Sequence, residues 1–314
     1  RPDGLSGWQT TPATVCAVPT LEAIAASEHT VAGVVCQPDR PSGRGLKTSA
    51  CAVRELALRL GLTCFQPERP RGEDFLAALH SLRPDISVVV AYGHILRPEA
   101  LNLPPHGSIN LHASLLPAWR GAAPIQRSVA AGDTRTGLTV IRMDAGMDTG
   151  PILAAQATGI SPEESAGELA GRLSRMGAGL LLDTLRRIET GDAREIPQPE
   201  TGVSYAPKIE PSQARIVWSM NAGALACHVR AFDPWPGAFC FRQGQPLKLF
   251  CPRAAGPCQN LPGTVLDAGG DGLTVCCGKG TALAFGEVQA QGKRRMSAAE
   301  WLRGARLTAG ERLE

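Results

Sequence analysis

The feature that most constrains the fold is a change of pattern along the chain. Between about residues 14 and 190, β-branched runs alternate with helix-like stretches, which is typical of an α/β domain with a parallel-rich sheet and crossover helices. The predicted strands are Val31–Cys36, Leu62–Phe65, Ile86–Ala91, Ser108–Leu111 and Gly137–Met143. The predicted helices are Val18–Ala26, Ala52–Leu60, Asp74–Leu82, Pro124–Ala131 and Ser165–Glu189. The apolar run Ile86–Ala91 suits a central strand covered on both faces.

The pattern breaks at Thr190–Lys208, which is rich in Pro, Gly and charge. Beyond it, short alternating segments are separated by turns containing Gly, Pro and Asp, which predicts a small antiparallel barrel. Because 314 residues exceed the usual size of one hydrophobic core, we predict two domains. They are a Rossmann-like α/β catalytic domain at residues 1–190 and, after a linker at 191–208, an OB-like barrel at 209–314.

Composition excludes several classes of protein. Apolar residues make up 43% of the chain and charged residues 19%, which is ordinary for a globular protein. No window has the roughly 18 uncharged apolar residues of a membrane span, and the opening stretch lacks the apolar core of a secretory signal. We therefore predict a cytoplasmic protein that does not bind membranes.

Ten cysteines are scattered along the chain without a C-x-x-C pair. This spacing favours buried thiols over a disulfide scaffold. It also predicts no structural metal, because tetrahedral zinc sites normally use closely spaced pairs of ligands.

Positive charge is concentrated in the last third of the chain. Residues 209–314 contain 12 Lys and Arg against 8 Asp and Glu, whereas residues 1–208 contain 20 against 21. A modestly basic domain fits a polyanionic partner, and a solubilising surface fits the charge equally well.

One group of polar residues points to chemistry. Asn110 and His112 alternate at the end of a predicted strand, so both side chains leave the same face and point into the crevice beyond its carboxyl edge. Asp148 lies between Gly146 and Gly150 on a predicted exposed turn. An amide, an imidazole and a carboxylate brought together suit group transfer through a tetrahedral oxyanion. Spacing alone leaves open a structural Asn-x-His and a plain turn aspartate.

These residues resemble a known family, the formyltransferases that use 10-formyltetrahydrofolate. The chain is most similar to the branch whose members formylate initiator methionyl-tRNA for translation initiation. The resemblance rests on several blocks in the family's order, namely Gln37–Gly45, Asn110–His112, Ser114–Pro117, Arg120–Arg127, Asp144–Gly150 and Arg230–Ala238.

The resemblance implies roles for particular residues. Asn110, His112 and Asp148 match the catalytic triplet, and the tail matches an OB-like domain that contacts tRNA. The segment matching the folate site consists of Ser114, Leu115, Leu116 and Pro117. Gln37–Gly45 matches a basic loop at the tRNA acceptor end, where we expect contacts from Arg40, Arg44 and Lys47. Charge adds Lys248, Lys293, Arg294 and Arg295 in the tail as candidates for phosphate contact. We expect a monomer that takes 10-formyltetrahydrofolate as its formyl donor.

The chain departs from the family near its beginning. Relatives start with an apolar strand at the centre of the sheet, whereas residues 5–18 here keep Thr11-Pro12 but lack the apolar run. If the central strand is missing, the backbone N–H and C=O groups of the two strands beside it have no partner. Each such group costs about 1–3 kcal/mol if it is buried.

Two alternatives stay open at this point. Related formyltransferases use the same three polar residues on glycinamide ribonucleotide or amino sugars, and a noncatalytic RNA-binding relative would keep the tail and lose the chemistry. A nicotinamide-dependent oxidoreductase is a weaker alternative than either, because no G-x-G-x-x-G follows a first strand.

Overall fold

The computed structural model describes residues 12–42, 47–269 and 272–314. The chain divides into two compact units. The first unit comprises Arg1–Pro124, Thr136–Thr158 and Ala170–Pro207, and the second comprises Ile125–Arg135, Gly159–Leu169 and Lys208–Glu314. The domain boundaries at residues 190 and 208 stay a prediction.

Strands and helices alternate up to Glu189 in the described part of the chain. The strands are β1 (Val34–Val35), β2 (Arg40–Ser42), β3 (Lys47–Ser49), β4 (Cys64–Phe65), β5 (Ser87–Val89), β6 (Ser108–His112), β7 (Arg135–Arg142) and β8 (Ile152–Gly159). The helices are α1 (Pro12–Ala25), α2 (Ala52–Arg59), α3 (Glu73–Leu82), α4 (Pro98–Leu101), α5 (Pro124–Ala131) and α6 (Ala166–Glu189). Every predicted helix overlaps one of these, so the predicted alternation is confirmed.

The larger strands form a mixed sheet. β1 pairs with β4 in parallel, and a four-stranded sheet has the order β5-β6-β7-β8. In it, β5 and β6 are parallel, whereas β6 and β7 are antiparallel. The predicted α/β class is confirmed, and the antiparallel pair is a feature that the strand pattern did not reveal.

The strand predicted at Ile86–Ala91 is shorter and less buried than expected. β5 covers only Ser87–Val89, its three residues are half-buried, and it stands at one end of the four-stranded order. The prediction of a central strand covered on both faces is therefore wrong for the described sheet. The reason is that no described strand pairs with its other edge or joins it to β1. The stretch that departs from the family pattern lies outside the described residues up to residue 11, and α1 begins at Pro12.

Helix α6 packs directly onto strand β6. A Cβ atom at Gly177 would lie 2.7 Å from a Cδ atom of Leu111, closer than real Cβ contacts, so glycine allows the helix to approach the strand. Ile109 on β6 and Val140 on β7 are fully buried. This packing fixes the strand that bears Asn110 and His112.

The tail forms an antiparallel sheet. Beyond Lys208 the described residues contain a 3-10 turn (Pro211–Ala214), α7 (Ala222–Ala231), β9 (Phe239–Arg242), β10 (Gln245–Pro257), β11 (Val265–Asp267), β12 (Leu273–Cys277), β13 (Thr281–Ala290), β14 (Met296–Ser297) and α8 (Ala298–Ala305). The strand order is β11-β12-β13-β10-β9, with β14 on β13. The predicted antiparallel domain is confirmed.

Residues 311–314 close this sheet into a barrel. The N–H of Val265 in β11 donates to the carbonyl of Glu311 at 2.8 Å, while Phe241 in β9 and Glu314 exchange two backbone bonds of 2.8 and 2.9 Å. Since β9 and β11 are the outer strands of the order, one short segment satisfies both edges.

The cysteines partly follow the prediction. Cys258 and Cys276 form a disulfide, so the expectation of thiols throughout was wrong for this pair. Cys258 follows directly after β10, and Cys276 lies in β12. Only the folded barrel brings these two positions together. The remaining cysteines of the described residues are free.

No helix in the part of the chain that the structure describes has the length and apolar character needed to cross a lipid bilayer.

We predict that Leu313→Ala destabilises the tail by about 2–5 kcal/mol, because a buried leucine in the closing segment is removed. The side chain of Leu313 is 1% exposed. Urea unfolding monitored by tryptophan fluorescence measures the change. Leu261→Ala is the matched control, since Leu261 is 67% exposed. Equal unfolding midpoints for the two variants would show that the segment does not hold the barrel closed.

Candidate functional site

The site begins at the end of strand β6. Asn110 and His112 are two residues apart and share a face of the strand. His112 is 5% exposed and pairs in register with Thr139 of β7. A nearly buried imidazole at a strand end has a fixed orientation, which a reaction centre requires.

Asp148 lies on the loop between β7 and β8. Its φ is 54°, in the left-handed region. The loop is closed by Asp144, whose carboxylate accepts hydrogen bonds from the Gly146 N–H at 3.0 Å and the Thr149 hydroxyl at 2.7 Å. The turn therefore holds Asp148 in an unusual conformation, which the surrounding contacts must stabilise.

The structure brings Asn110, His112 and Asp148 together. The Asn110 amide nitrogen donates to Asp148 Oδ1 at 3.2 Å. His112 Nδ1 lies 3.6 Å from Asp148 Oδ2, and the same oxygen accepts the Gly121 N–H at 2.8 Å. The side chains of an amide, an imidazole and a carboxylate thus lie side by side, as the sequence predicts.

The far side of the imidazole faces a backbone carbonyl. His112 Nε2 lies 2.9 Å from the oxygen of Trp119. A carbonyl only accepts hydrogen bonds, so Nε2 carries the hydrogen in this arrangement. Trp119 itself has a φ of 61°, which turns its carbonyl toward the ring.

The predicted folate segment, Ser114–Pro117, is a tightly anchored turn. The Ser114 hydroxyl donates to the Ala118 carbonyl at 2.6 Å, and the Thr139 hydroxyl bonds Ser114 O at 2.7 Å and Leu116 N at 3.1 Å. Ser114 and Leu116 are buried, whereas Leu115 and Pro117 are half-buried. The binding of folate by this turn stays a prediction.

Sequence reasoning missed Gln198. Its amide nitrogen donates to the carbonyls of Asp148 and Gly150, both at 2.8 Å, and its oxygen accepts two bonds from Arg120 at 2.6 and 3.1 Å. Gln198 lies in the stretch read as a linker, between two prolines, and no periodic pattern marked it. Nearby, Trp119 N donates to Ser204 Oγ at 2.9 Å.

A cavity of about 570 Å³ adjoins these contacts. It is lined by Arg120, Thr149, Pro151, Pro197, Gln198, Pro199, Glu200 and Val203. The supposed linker therefore forms one wall of a pocket beside Asp148.

The predicted basic loop is a short hairpin. Arg40 begins β2, Lys47 begins β3, and the two strands pair antiparallel with Ser42 opposite Lys47. Arg44 lies outside the described residues. The backbone therefore places Arg40 and Lys47 on a two-stranded antiparallel sheet that lies between β1 and α2 in the sequence.

The four tail cations differ in their surroundings. Arg295 binds Asp233 with two bonds of 2.6 and 3.0 Å, bonds Glu287, and stacks 3.9 Å from the Phe250 ring centre. Burial opposes its charge, yet both carboxylates raise the pKa of Arg295 above its usual value. This position favours a structural role, and phosphate contact by Arg295 stays a prediction.

Lys248 is also engaged, because its Nζ donates to the Pro236 carbonyl at 2.6 Å and burial lowers its pKa. Arg294 is 78% exposed and pairs with Glu300 at 3.1 Å, and Lys293 is exposed. Lys293 and Arg294 are therefore the predicted residues of this group that lie open to a polyanion.

Comparison with known proteins identifies the class. The family "Formyl transferase" matches residues 12–185, and "Formyl transferase, C-terminal domain" matches residues 208–306. The solved structure of WlaRD, a sugar 3N-formyl transferase, has a TM-score of 0.63 at 16% identity and covers 88% of this chain and 94% of its own, which supports the fold. Fold and site thus define a formyl transferase.

Two relatives narrow the class. A methionyl-tRNA formyltransferase of Magnetococcus marinus is 46% identical over 294 residues, covering 94% of this chain and 94% of the relative. Another of the same name, from Aromatoleum aromaticum, is 46% identical over 299 residues, covering 95% and 94%. The chain belongs to the methionyl-tRNA formyltransferase family.

We predict that Gly121→Ala destabilises the protein by about 1–3 kcal/mol, because φ at Gly121 lies in the left-handed region that L side chains rarely adopt. That φ is +121°, and an added Cβ would lie 2.8 Å from Ala206 O. Gly179→Ala is the control, since nothing lies within 4 Å of its added Cβ in helix α6, and helix propensity should make it stabilising by about 0.5–1 kcal/mol. Thermal unfolding of both variants tests the difference, and Gly121→Ala melting as late as the wild type would contradict it.

Proposed function

We propose that this chain transfers the formyl group of 10-formyltetrahydrofolate to the α-amino group of methionine on initiator methionyl-tRNA. The observation that carries the proposal is that Asn110 and His112 both contact the carboxylate of Asp148. The 46% identity to relatives named methionyl-tRNA formyltransferase supports the choice of acceptor.

The residues present fit a formyl donor. Asn110 uses one amide hydrogen on Asp148 Oδ1, so its second hydrogen is available to the formyl oxygen. As an amine attacks the formyl carbon, this oxygen gains negative charge. A positioned amide N–H stabilises that charge more than the neutral carbonyl, which lowers the barrier.

His112 accepts the proton that the amine loses, and Asp148 stabilises the charge that results. With its hydrogen on Nε2, the His112 imidazole accepts the proton at Nδ1, and the Asp148 carboxylate 3.6 Å away stabilises the resulting imidazolium. The proton is then available for the departing folate nitrogen. Since Asp148 is held by Asn110 and the Gly121 N–H, its charge stays in place through both steps.

The tRNA is bound through positive charge on two segments. We assign Arg40, Arg44 and Lys47 to the acceptor end, and Lys293 and Arg294 to phosphates elsewhere. Lys248 and Arg295 are secondary, because each already has protein partners. Phosphate contacts of this kind make affinity fall with rising salt.

Transfer of radiolabelled formyl groups to charged initiator tRNA tests the proposal directly. Glycinamide ribonucleotide and an amino sugar nucleotide serve as rival acceptors in the same assay. Labelling of either rival in preference to tRNA would overturn the assignment. Tight tRNA binding without labelling of any acceptor would identify a noncatalytic RNA-binding relative instead.

We predict that Asn110→Ala lowers kcat/KM about 10²–10³-fold, because one donor to the oxyanion is removed. Formyl-transfer kinetics at saturating tRNA measure the effect. Asn102→Ala, at an exposed position after α4, is the matched control and should match the wild type. A rate for Asn110→Ala within threefold of the control would exclude Asn110 as an oxyanion donor.

We predict that Gln198→Ala lowers kcat about tenfold to hundredfold while KM for the folate changes little, because the loop that holds Asp148 becomes less well placed. Gln198 is a positioning residue here, since it acts through the carbonyls of Asp148 and Gly150. Gln156→Ala, exposed on β8, is the control. If the Gln198 variant changes KM alone, its role is in binding and not in positioning.

A further inference from the structure

The stretch that contains Ser204 runs beside the loop that follows strand β6. The N–H of Arg120 donates to the carbonyl of Ser204 at 2.9 Å, and the N–H of Ala206 donates to the carbonyl of Arg120 at 2.7 Å. These bonds pair the two backbones in parallel over a short distance. The side chain of Ser204 adds another bond, because its hydroxyl oxygen accepts the N–H of Trp119 at 2.9 Å. Ser204 therefore binds two successive backbone N–H groups of the loop.

The bond from Arg120 to Ser204 fixes the direction of the Trp119 carbonyl. The Trp119 C=O and the Arg120 N–H belong to one peptide unit, and in a planar trans peptide these two groups point in opposite directions. Since the N–H is held by Ser204, the carbonyl points away from Ser204, and its oxygen lies 2.9 Å from Nε2 of His112. Ser204 thus orients the group that the imidazole contacts.

Trp119 needs this support because of its backbone conformation. Its φ is 61°, in the left-handed region that bulky L residues rarely adopt. Such a conformation persists only where surrounding contacts hold it. The bond to the Ser204 hydroxyl holds the nitrogen about which this φ is measured. Removing the hydroxyl would take that acceptor from the Trp119 N–H and let the residue relax toward an ordinary conformation.

Two oxygens compete for the hydrogen of the His112 ring. The Trp119 oxygen lies 2.9 Å from Nε2, within hydrogen-bond range, whereas Asp148 Oδ2 lies 3.6 Å from Nδ1, beyond that range. The nearer contact places the hydrogen on Nε2 and leaves a lone pair on Nδ1. If the Trp119 carbonyl turned away, the carboxylate would be the acceptor left of the two, and the hydrogen would move to Nδ1.

We propose that Ser204 is a positioning residue for formyl transfer, which keeps the hydrogen of His112 on Nε2 by holding the Trp119 carbonyl in place. The inference rests on the proposed function, in which Nδ1 accepts the proton that the amine loses. A ring nitrogen that already carries a hydrogen has no lone pair with which to accept that proton. Ser204 acts through Trp119 and not by touching the reacting atoms.

Nuclear magnetic resonance measures the position of the hydrogen without any substrate. In protein labelled with nitrogen-15 in its histidine rings, the two neutral tautomers give different nitrogen chemical shifts, and His112→Gln identifies the signal of His112. Spectra are recorded at alkaline pH, where imidazoles are neutral. We expect the Nε2–H form in the wild type and in Ser204→Thr, which keeps a hydroxyl. In Ser204→Ala we expect signals of the Nδ1–H form.

Thr201→Ala is the matched control, because it removes the hydroxyl of an exposed residue in the same segment. Its spectrum should match that of the wild type. A folded Ser204→Ala protein that keeps the Nε2–H form in full overturns the proposal. If Ser204→Ala does not fold, Ser204→Cys replaces it, since sulfur is only a weak acceptor, and the same two outcomes decide.

Kinetics test the consequence for the reaction. Ser204→Ala should lower kcat about tenfold with little change in KM for the folate. This is less than the roughly hundredfold loss from misplacing a group by about 1 Å, because the backbone bond from Arg120 remains. Ser204→Thr should restore kcat. An unchanged kcat in Ser204→Ala, or a Ser204→Thr enzyme that is equally slow, overturns the catalytic part. If the wild type formylates no acceptor, the proposed function fails, while the spectra still decide the tautomer.

Discussion

The site depends on one carboxylate held by donors from separate segments. Asp148 accepts a side-chain amide from the end of β6 and a backbone N–H from Gly121, and it faces the imidazole of His112. Without these donors, a residue with positive φ on an exposed loop would have little reason to stay in place. The carboxylate therefore links the strand, the loop after it and the loop between β7 and β8.

A second set of contacts supports the first. The side-chain amide nitrogen of Gln198 donates hydrogen bonds to two carbonyls of the Asp148 loop, and its oxygen accepts hydrogen bonds from Arg120. Ser204 receives the N–H of Trp119, whose carbonyl meets His112. A segment with no regular structure thus completes the contacts around Asp148, because its hydrogen bonds satisfy groups that helices and strands leave unpaired.

The strand bearing the site was predictable because apolar Ile109 and Leu111 alternate with polar residues along it. β6 extends the prediction by one residue, to His112. Strand β8 was missed, since Ile152–Gly159 is rich in small and polar residues. The disulfide between Cys258 and Cys276 was missed because the cysteines are 18 residues apart and no spacing rule pairs them. The assignment of catalytic and tRNA-binding roles stays a prediction.

The sequence by itself determined the alternation of helices and strands, the change to a β-rich tail and the identity of the polar triplet, since these follow from local periodicity and motif spacing. Tertiary structure alone decided that residues 311–314 close the barrel, that Gln198 supports Asp148, and that the thiol of Cys36 lies 3.7 Å from that of Cys64. Each of these is a contact between segments distant in sequence. Local pattern records which residues are buried or turned, but a hydrogen bond between distant segments exists only once the chain has folded.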